Sequence, residues 1–414
     1  MKRWNEKYHD KLKHHSLSGQ LMDIRYLEEA WKKVKANKGT GGIDGETIES
    51  FETQKDQKLA EIRRMLKERR YEPQPVRRVD IPKPDGRTRP LGIPTIRARV
   101  VQQTLKGLLE PIFEEIFLEG SHGYRPGKDA HQAMRKVEGY IERGYYWLVD
   151  ADIQGFFDHV NHDILMDLVR EKIADGRVLD LLESFLKCGV MKDGEFEETM
   201  EGTPQGGVIS PLLANIYLNH FDRRIGEEGF LLLRYADDLL IFCKSKEDAD
   251  KALNRAETIL GEELKLSLNH GKTRILNAKE ELGQFLGFLF TEGYLSPSGK
   301  AIEHYKDSIR HATRRCQPRN TRMVIAAINP IIRGWGGYFG YRTIDMPMLS
   351  LDSWTRAWVR SFKAKRRSDW IIRKRLPEER ELVSLMSLRT PRPITYEGER
   401  RTRAVYLKWV RTVR

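Results

Sequence analysis

Two apolar runs that enclose a pair of adjacent carboxylates constrain the fold of this chain more than any other feature. The runs FLLLRY and LLIFC flank Ala236, Asp237 and Asp238. Apolar runs joined by a short polar turn are typical of a β-hairpin. Carboxylates ~4 Å apart at such a tip repel each other by roughly 4 kcal/mol at an effective dielectric of about 20. The pair is therefore either a plain polar turn or a site that a cation neutralises.

A second acidic segment favours the cation. In LVDADIQGFFD, Asp150 and Asp152 lie on one face of a predicted strand over residues 145–153, because side chains alternate along a strand. Oxygen ligands without cysteine favour Mg²⁺. An acidic strand end beside an acidic hairpin tip can hold two metal ions ~3.5–4 Å apart, as polymerases and nucleases do. The spacing of the carboxylates does not distinguish these two classes of enzyme.

The positive charge of the chain is concentrated in its last quarter. The 414 residues carry a formal net charge of +13, but residues 301–414 carry +16 and residues 1–300 carry −3. Such a block attracts a polyanion, and aromatic side chains between the basic ones favour nucleic acid over a membrane. The tryptophans concerned are Trp335, Trp354, Trp358, Trp370 and Trp409. The alternative without a ligand is a solvated basic face that aids solubility, with some of these tryptophans in the core.

Cysteine content and hydropathy exclude several classes of protein. The three cysteines, Cys188, Cys243 and Cys316, are too far apart in sequence for a CxxC pair. This excludes a zinc ribbon and a disulfide scaffold, and it fits a reducing compartment. No apolar run is long enough to span a membrane, and the first residues lack the apolar core of a signal peptide. We therefore expect a cytoplasmic protein of two to four domains with no membrane partner.

The periodicity of the chain predicts an α+β core followed by a basic helical bundle. Helices are predicted over 20–37, near 56–69, and over 96–117, 160–190 and 211–226. VRRVDIP reads as a strand, and the Pro-Asp-Gly after it is a strong turn signal. After Leu295 the strand signals stop, and three helices are predicted. We expect the second of these helices to be bent or broken at Pro330.

The motifs and their order resemble those of group II intron-encoded reverse transcriptases, also called maturases, over roughly residues 30–375. The fingers and N-terminal motifs are GGIDG (41–45), VRRVDIPKPDGRTRPLGIPT (76–95) and SHGYRPGKDAHQA (121–133). The palm motifs are VDADIQGFFDHVNHD (149–163), GTPQGGVISPLLANIYL (202–218), RYADD (234–238), LSLNHGKT (266–273) and FLGF (285–288). The thumb motif is INPIIRGWGGYF (328–339).

The resemblance implies a right-hand polymerase fold of fingers, palm and thumb. Residues 1–60 would be an N-terminal extension, and 61–296 the fingers and palm. Residues 297–375 would be a helical thumb and maturase domain. Residues 376–414 would be a basic tail for which DNA binding is a guess from composition. The chain shows neither the paired CxxC motifs nor the HNH pattern of many family members, so we expect the compact type that lacks the endonuclease.

The resemblance also implies the catalytic residues. Asp152, Asp237 and Asp238 match the family's metal-binding triad, which holds two Mg²⁺ ions or Mn²⁺ as a substitute. Lys272 matches the general acid to pyrophosphate. Asp150 and Asp158 are assigned to structural hydrogen bonds.

A second set of residues matches the family's dNTP site, and these are Lys83, Arg89, Phe157 and Gln205. Phe157 would close against the ribose 2′-hydroxyl and so select dNTP over rNTP. An ordinary core position is the alternative for Phe157, with Phe156 as the alternate aromatic.

The nucleic-acid contacts that we predict are Arg125, Gly206, Arg333, Arg360, Lys363, Lys365, Arg366 and Arg367. Tyr124 would pack beside Arg125, or both would only shape the fingers. A glycine at 206 would let nucleic acid approach the backbone. We interpret Trp335 as a core residue.

These features predict an RNA-directed DNA polymerase that copies intron RNA into DNA and assists splicing. The expected partners are intron RNA, an RNA template with a DNA or RNA primer, target DNA and dNTPs. One alternative is an RNA-binding splicing factor with a vestigial polymerase site. Another is a domesticated reverse transcriptase used in repair or defence. The presence of all the matched catalytic residues favours an active enzyme.

Overall fold

The computed structural model describes residues 13–82, 86, 88–204, 206–314, 317–343, 345–364 and 377–388. Over these residues the helices up to the middle of the chain are α1 (Ser18–Leu21), α2 (Ile24–Ala36), α3 (Ile48–Thr53), α4 (Lys55–Lys67), α5 (Ile96–Glu114), α6 (Ala130–Glu142), α7 (His162–Arg170) and α8 (Gly176–Leu186). The later helices are α9 (Ser210–Glu227), α10 (Lys246–Thr258), α11 (Gly299–Ala312), α12 (Thr321–Phe339) and α13 (Asp345–Ala364).

The strands form three sheets. Their bounds are β1 (Val76–Pro82), β2 (Thr88–Ile93), β3 (Trp147–Asp152), β4 (Val190–Lys192), β5 (Glu195–Glu197), β6 (Leu231–Tyr235), β7 (Asp238–Cys243), β8 (Arg274–Asn277), β9 (Gly283–Phe285), β10 (Phe288–Thr291) and β11 (Tyr294–Pro297). The strand orders are β2-β1-β4-β5, β6-β7-β3-β8 and β11-β10-β9. This mixture of helices and sheets confirms the predicted α+β class.

The chain folds into two compact units. The first comprises the described residues of Met1–Lys128, Ala151–Ile241 and Glu247–Arg274, and the second those of Asp129–Asp150, Phe242–Lys246 and Ile275–Arg414. Neither unit is a single stretch of sequence, whereas the predicted domains are consecutive. The predicted domain boundaries therefore stay a prediction.

The first unit contains the sheet β2-β1-β4-β5 and the helices that support it. β1 and β2 are antiparallel, with Arg89 opposite Ile81, and β4 pairs parallel with β1. Helix α2 buries the face formed by Leu27, Ala30, Trp31 and Val34. Burying a large apolar side chain stabilises a fold by about 1.5–3 kcal/mol, so this amphipathic face fixes the helix in place.

The second unit contains a helical bundle with its own apolar core. Helices α11, α12 and α13 contribute Tyr305, Ile309, Ile328, Ile332 and Val359 to that core, all of them nearly inaccessible to solvent. Asn320 begins α12 as its N-cap, because its side chain accepts a hydrogen bond from the backbone N–H of Met323 at 2.9 Å. The three helices predicted after Leu295 are confirmed.

One predicted helix differs from the structure. Helix α12 contains Pro330 but runs unbroken from Thr321 to Phe339, so the break at Pro330 that we considered does not occur. The apolar face on both sides of the proline is buried and holds the helix together.

The helices predicted over 160–190 are present as α7 and α8. Asp175 caps α8 by accepting from the N–H of Arg177 at 3.1 Å.

Candidate active site

The hairpin predicted around Asp237 and Asp238 is present, with β6 and β7 as its arms. The turn between them is Ala236 and Asp237, and Asp238 is the first residue of β7. Ala236 has φ +59°, in the left-handed region that side chains other than glycine rarely adopt. Such a conformation persists only where neighbouring contacts hold it, so contacts from the surrounding structure hold this turn in place.

A loop from Gly120 to Arg125 lies directly against this hairpin. Ser121 forms an isolated parallel bridge with Arg234, in which the N–H of His122 donates to the Arg234 carbonyl at 2.9 Å and the N–H of Arg234 donates to the Gly120 carbonyl at 2.9 Å. A Cβ at Gly123 would lie 2.3 Å from the Ala236 nitrogen. Glycine is required at position 123 because the loop backbone contacts the turn backbone.

Asp152 ends β3 and is held from one side by the segment around Asn269. The N–H of Asn269 donates to the Asp152 carbonyl at 2.8 Å, and Ile153 bridges antiparallel to Leu268. On the side chain, the Lys272 ammonium lies 2.7 Å from Asp152 Oδ2. The structure thus brings together two predicted catalytic residues that are far apart in sequence, Asp152 and Lys272.

The carboxyl of Asp237 lies in the same electrostatic environment. Burial raises the pKa of Asp237 above its usual range, and the negative charge of Asp152 raises it further. Arg89 and Lys272 lower the pKa of Asp237. A half-buried carboxyl beside a second carboxylate favours a bound cation, because a cation stabilises the ionised form of both.

The donor set at this site fits a hard divalent cation. Asp152, Asp237 and Asp238 offer only carboxylate oxygens, the ligands that Mg²⁺ prefers. In the part of the chain that the structure describes, no three acidic, histidine or cysteine side chains already form a metal cage. The Oδ2 atom of Asp152 is bonded to Lys272 instead. The chemistry of the predicted triad therefore fits, although its side chains are not preassembled around an ion.

The predicted dNTP residues are described only in part, since Lys83 and Gln205 lie outside the described residues. Arg89 is exposed on β2, and its charge acts on both Asp237 and Tyr124. Phe157 is 8% exposed and Phe156 is 2% exposed, with ring centroids 5.2 Å apart. Both rings are largely core residues, and sugar selection by Phe157 stays a prediction.

The structure explains why position 206 is a glycine, which the sequence alone did not indicate. Its φ is +113°, and a Cβ there would lie 2.6 Å from the Gly92 carbonyl oxygen of β2. The close approach that this glycine permits in the structure is to strand β2. A contact between Gly206 and nucleic acid stays a prediction.

Arg125 lies inward. Its guanidinium forms two hydrogen bonds from Nε and Nη2 to Glu114 Oε2, at 3.0 and 2.8 Å, and donates to the carbonyls of Leu118 and Ser121. Its side chain is 6% exposed. These contacts support the alternative that we considered, in which Arg125 shapes the loop, and the predicted template contact stays a prediction.

Tyr124 is the residue of this loop that faces the acidic site. It is 48% exposed, has φ +61°, and lies next to the glycine that contacts the turn. Burial of part of its ring raises the pKa of the Tyr124 phenol, and the charges of Asp237 and Asp238 raise it further. We predicted Tyr124 only as a packing partner of Arg125, and nothing in the local sequence indicated its position beside the carboxylates.

Of the predicted basic strip of the second unit, the structure describes Arg360 and Lys363, and both form ion pairs. Arg360 donates to both carboxylate oxygens of Glu379, at 2.7 and 3.0 Å, and its side chain is 15% exposed. Lys363 pairs with Glu378 at 2.9 Å. Arg333 is exposed on α12. Phosphate binding by Arg360 stays a prediction, and it would require release of the pair with Glu379. Lys365, Arg366 and Arg367 lie outside the described residues.

The interpretation of Trp335 as a core residue is confirmed. Its indole N–H donates to the Ala301 carbonyl at 3.1 Å, and its ring lies 4.9 Å from the rings of Tyr305 and Phe339. Trp354 and Trp358 also pack on the apolar core of the bundle. Of the five tryptophans in the basic block, three therefore serve packing, and Trp370 and Trp409 lie outside the described residues.

Among the helices that the structure describes, none is both long enough and apolar enough to cross a membrane.

Two protein-family models match the chain. The model for reverse transcriptase (RNA-dependent DNA polymerase) matches residues 81–290, and the model for the group II intron maturase-specific domain matches residues 302–377. The first match contains every predicted catalytic and dNTP-site residue, and the second contains the predicted thumb motif, residues 328–339.

Individual relatives agree with the two models. The chain is 34% identical over 305 residues to protein YkfC of Escherichia coli (strain K12), covering 64% of this chain and 78% of that protein. It is 31% identical over 348 residues to the group II intron-encoded protein LtrA of Lactococcus lactis subsp. cremoris, covering 67% of this chain and 57% of LtrA. It is 28% identical over 328 residues to the putative COX1/OXI3 intron 2 protein of Saccharomyces cerevisiae, covering 65% of this chain and 38% of that protein.

Proposed function

Because the chain belongs to the reverse transcriptase family and carries the group II intron maturase-specific domain, we propose that it is the RNA-directed DNA polymerase and maturase of a group II intron. The reaction is nucleotidyl transfer. The primer 3′-hydroxyl attacks the α-phosphate of a dNTP, a new P–O bond forms, and the bond to pyrophosphate breaks. The observation that carries the proposal is the acidic site in which the charges of Asp152, Asp237 and Lys272 act on one another.

Asp152, Asp237 and Asp238 are the side chains that would hold the divalent ions, and Mg²⁺ is the ion we propose, with Mn²⁺ as a substitute. Bound there, two such ions would favour ionisation of the primer hydroxyl and stabilise negative charge on the departing pyrophosphate. The left-handed conformation at Ala236 supports this proposal, because a turn held in one conformation restricts where Asp237 and Asp238 can lie. Holding reacting groups in one geometry is itself a large part of catalysis.

Two cationic side chains complete the proposed chemistry. Arg89 is exposed on β2 with its charge directed at the acidic site, which suits a contact with the triphosphate. The Nζ atom of Lys272 lies 2.7 Å from Asp152 Oδ2, and we propose that Lys272 gives a proton to the pyrophosphate as the P–O bond breaks. The protein would therefore neutralise charge on the leaving group from both its fingers and its palm.

A polymerase assay tests this function. We expect the wild type to extend a DNA primer on an RNA template with dNTPs and Mg²⁺, and the Asp237→Ala/Asp238→Ala double variant to do so at a rate near background. The matched control is Asp163→Ala/Asp167→Ala, which removes two exposed carboxylates of α7. Failure of the wild type to extend any primer would overturn the polymerase function. Extension by the Asp237→Ala/Asp238→Ala variant would overturn the assignment of the metal ligands.

The match to the maturase-specific domain supports the second activity, assistance of splicing. We expect the protein to accelerate splicing of its parent intron RNA at Mg²⁺ concentrations too low for the RNA alone, and the catalytic double variant to retain this effect. A protein that accelerates splicing of the intron RNA but extends no primer would be mainly a splicing factor. A protein that extends primers but leaves splicing unchanged at every concentration would be a reverse transcriptase used for another purpose, such as repair or defence.

A further inference from the structure

Arg234, two residues before the turn, is fully buried, with no solvent-exposed surface. All five N–H donors of its guanidinium are used. Nε and Nη2 donate to the two oxygens of Asp222, at 2.7 and 2.6 Å. Nη1 donates to Asn215 Oδ1 at 2.9 Å and to the Ala236 carbonyl at 3.0 Å, and Nη2 also donates to Ser121 Oγ at 2.8 Å.

Asp222 explains how a guanidinium can be buried here. A bidentate pair with a carboxylate compensates the charge, and the remaining donors must also find acceptors. Asp222 alone would satisfy two of the five donors. The other three reach acceptors in the segments that surround the catalytic turn, so neutralisation of charge does not account for the whole arrangement.

The bond to Ala236 acts directly on the catalytic turn. Its acceptor is the carbonyl that immediately precedes Asp237, in a residue held at φ +59°. The orientation of that peptide fixes the direction in which the chain enters Asp237 and Asp238. A planar guanidinium anchored on Asp222 gives the carbonyl a partner in a rigid position.

Asn215 on α9 links the same guanidinium to the neighbouring loop. Its Oδ1 accepts from Arg234, and its Nδ2 donates to the Gly123 carbonyl at 2.9 Å. Gly123 in turn contacts the backbone of Ala236. Arg234 and the Gly123 backbone therefore both contact Ala236 in the turn. Asn215 links these two contacts, because it hydrogen-bonds to both Arg234 and Gly123.

We propose that Arg234 is a positioning residue that orients Asp237 and Asp238 for metal binding through the Ala236 carbonyl, with Asn215 transmitting its position to the Gly123 loop. The proposal rests on the polymerase function given above. It assigns a role to the arginine of the RYADD motif that does not involve contact with substrate.

The test compares three variants with one control. Arg234→Lys keeps the charge opposite Asp222, but a single ammonium cannot span five acceptors. Asn215→Ala breaks the link to the loop and leaves the Arg234–Asp222 pair intact. Ser121→Ala removes only the bond from Nη2 to the hydroxyl. The control is Arg224→Lys, on the same helix α9 as Asn215. Nε and Nη2 of Arg224 form a bidentate pair with the Glu263 carboxylate, at 3.1 and 3.2 Å, and the substitution alters this pair.

Five quantities are measured for each variant: the Tm, the Kd for primer–template, the kcat for addition of one nucleotide, the half-saturating Mg²⁺ concentration for that addition, and the affinity for Mn²⁺ by EPR without turnover. For Arg234→Lys and Asn215→Ala we expect kcat to fall by about 10- to 100-fold, as misplacement of catalytic groups does. We expect weaker Mn²⁺ binding, a several-fold higher half-saturating Mg²⁺ concentration and an unchanged Kd for primer–template. Ser121→Ala should show a smaller change in the same direction.

A merely structural role predicts something else. Loss of folded protein lowers activity and the number of Mn²⁺ sites in proportion, and leaves the metal affinity of the folded fraction unchanged. The proposal is overturned if Asn215→Ala, folded, matches Arg224→Lys in kcat, half-saturating Mg²⁺ and Mn²⁺ affinity. Should Arg234→Lys fail to fold, the Asn215→Ala comparison decides alone. If the wild type extends no primer, the proposed function fails, and the Mn²⁺ affinities still test the positioning role.

Discussion

The Lys272 ammonium lies 2.7 Å from the Asp152 carboxylate, and substitution of Lys272 alone tests what this ion pair does. Burial and the charge of Asp152 raise the pKa of Asp237, and Lys272 is one of the two cations that lower it. Asp237 is ionised, and able to bind a metal, only above its pKa. Removing Lys272 therefore moves the onset of metal binding to higher pH.

We accordingly expect Lys272→Met to shift the acid limb of Mn²⁺ binding, measured by EPR between pH 4 and 8, toward higher pH. Metal binding needs the deprotonated ligand, so affinity follows ionisation. Lys251→Met on the surface of α10 is the control, since its side chain is 72% exposed. An acid limb that does not move in Lys272→Met would contradict the electrostatic account of the site.

Individual residues also mark the limit of what the sequence could predict. The motifs correctly placed Asp152, Asp237 and Lys272 in one site, because motif order reflects a shared fold. The surroundings of Arg234 could not be predicted in this way. Its partners Ser121, Asn215 and Asp222 come from separate segments of the chain, and only the tertiary structure brings them together.

Two glycines of helix α12, Gly334 and Gly336, differ in the space beside them. A Cβ at Gly336 would lie 2.8 Å from Leu388 Cδ1 and 2.9 Å from Leu385 Cδ2, whereas Gly334 in the same helix has open space beside it. We expect Gly336→Ala to destabilise the helical bundle of the second unit by about 1–3 kcal/mol, because it overpacks a filled core.

The matched variant Gly334→Ala is expected to stabilise the protein by up to about 1 kcal/mol, because alanine is the better helix former. Urea denaturation followed by circular dichroism measures both changes. Equal stabilities for Gly336→Ala and Gly334→Ala would show that the 385–388 segment does not pack on α12 in solution.

Elements differ in how far the sequence predicts them. Strand β1 and the hairpin of β6 and β7 were predicted because long apolar or alternating runs carry a strong signal. Strands β4, β5, β8, β9, β10 and β11 have only three or four residues each, and such short segments form because a partner strand lies beside them. Helix α12 continues through Pro330 because its buried face outweighs the local cost of proline.

At the scale of the whole molecule, the basic last quarter predicts a salt-dependent affinity for nucleic acid. Two described arginines of this last quarter, Arg333 and Arg360, differ in exposure and in ion pairing. Arg333 is exposed, whereas Arg360 is committed to Glu379. We expect Arg333→Ala to reduce the slope of log Kd against log salt concentration by about 1, as loss of one phosphate contact does.

Arg360→Ala should instead lower Tm, because it leaves the carboxylate of Glu379, whose side chain is 6% exposed, without its bidentate partner. Fluorescence anisotropy with labelled RNA at several salt concentrations, together with thermal denaturation, distinguishes the two effects. A slope change for Arg360→Ala with no change in Tm would show that this arginine binds phosphate after all.

We infer that the acidic site formed by β3 and the β6–β7 turn performs RNA-templated DNA synthesis. The rate of addition of a single dNTP to a primer on an RNA template, for the wild type and for Asp152→Asn, tests this inference. We expect addition by the wild type and a loss of about 100-fold or more for Asp152→Asn, equal to about 2.7 kcal/mol of transition-state stabilisation, with primer–template affinity unchanged. Addition by Asp152→Asn at the wild-type rate would show that this site does not carry out the synthesis.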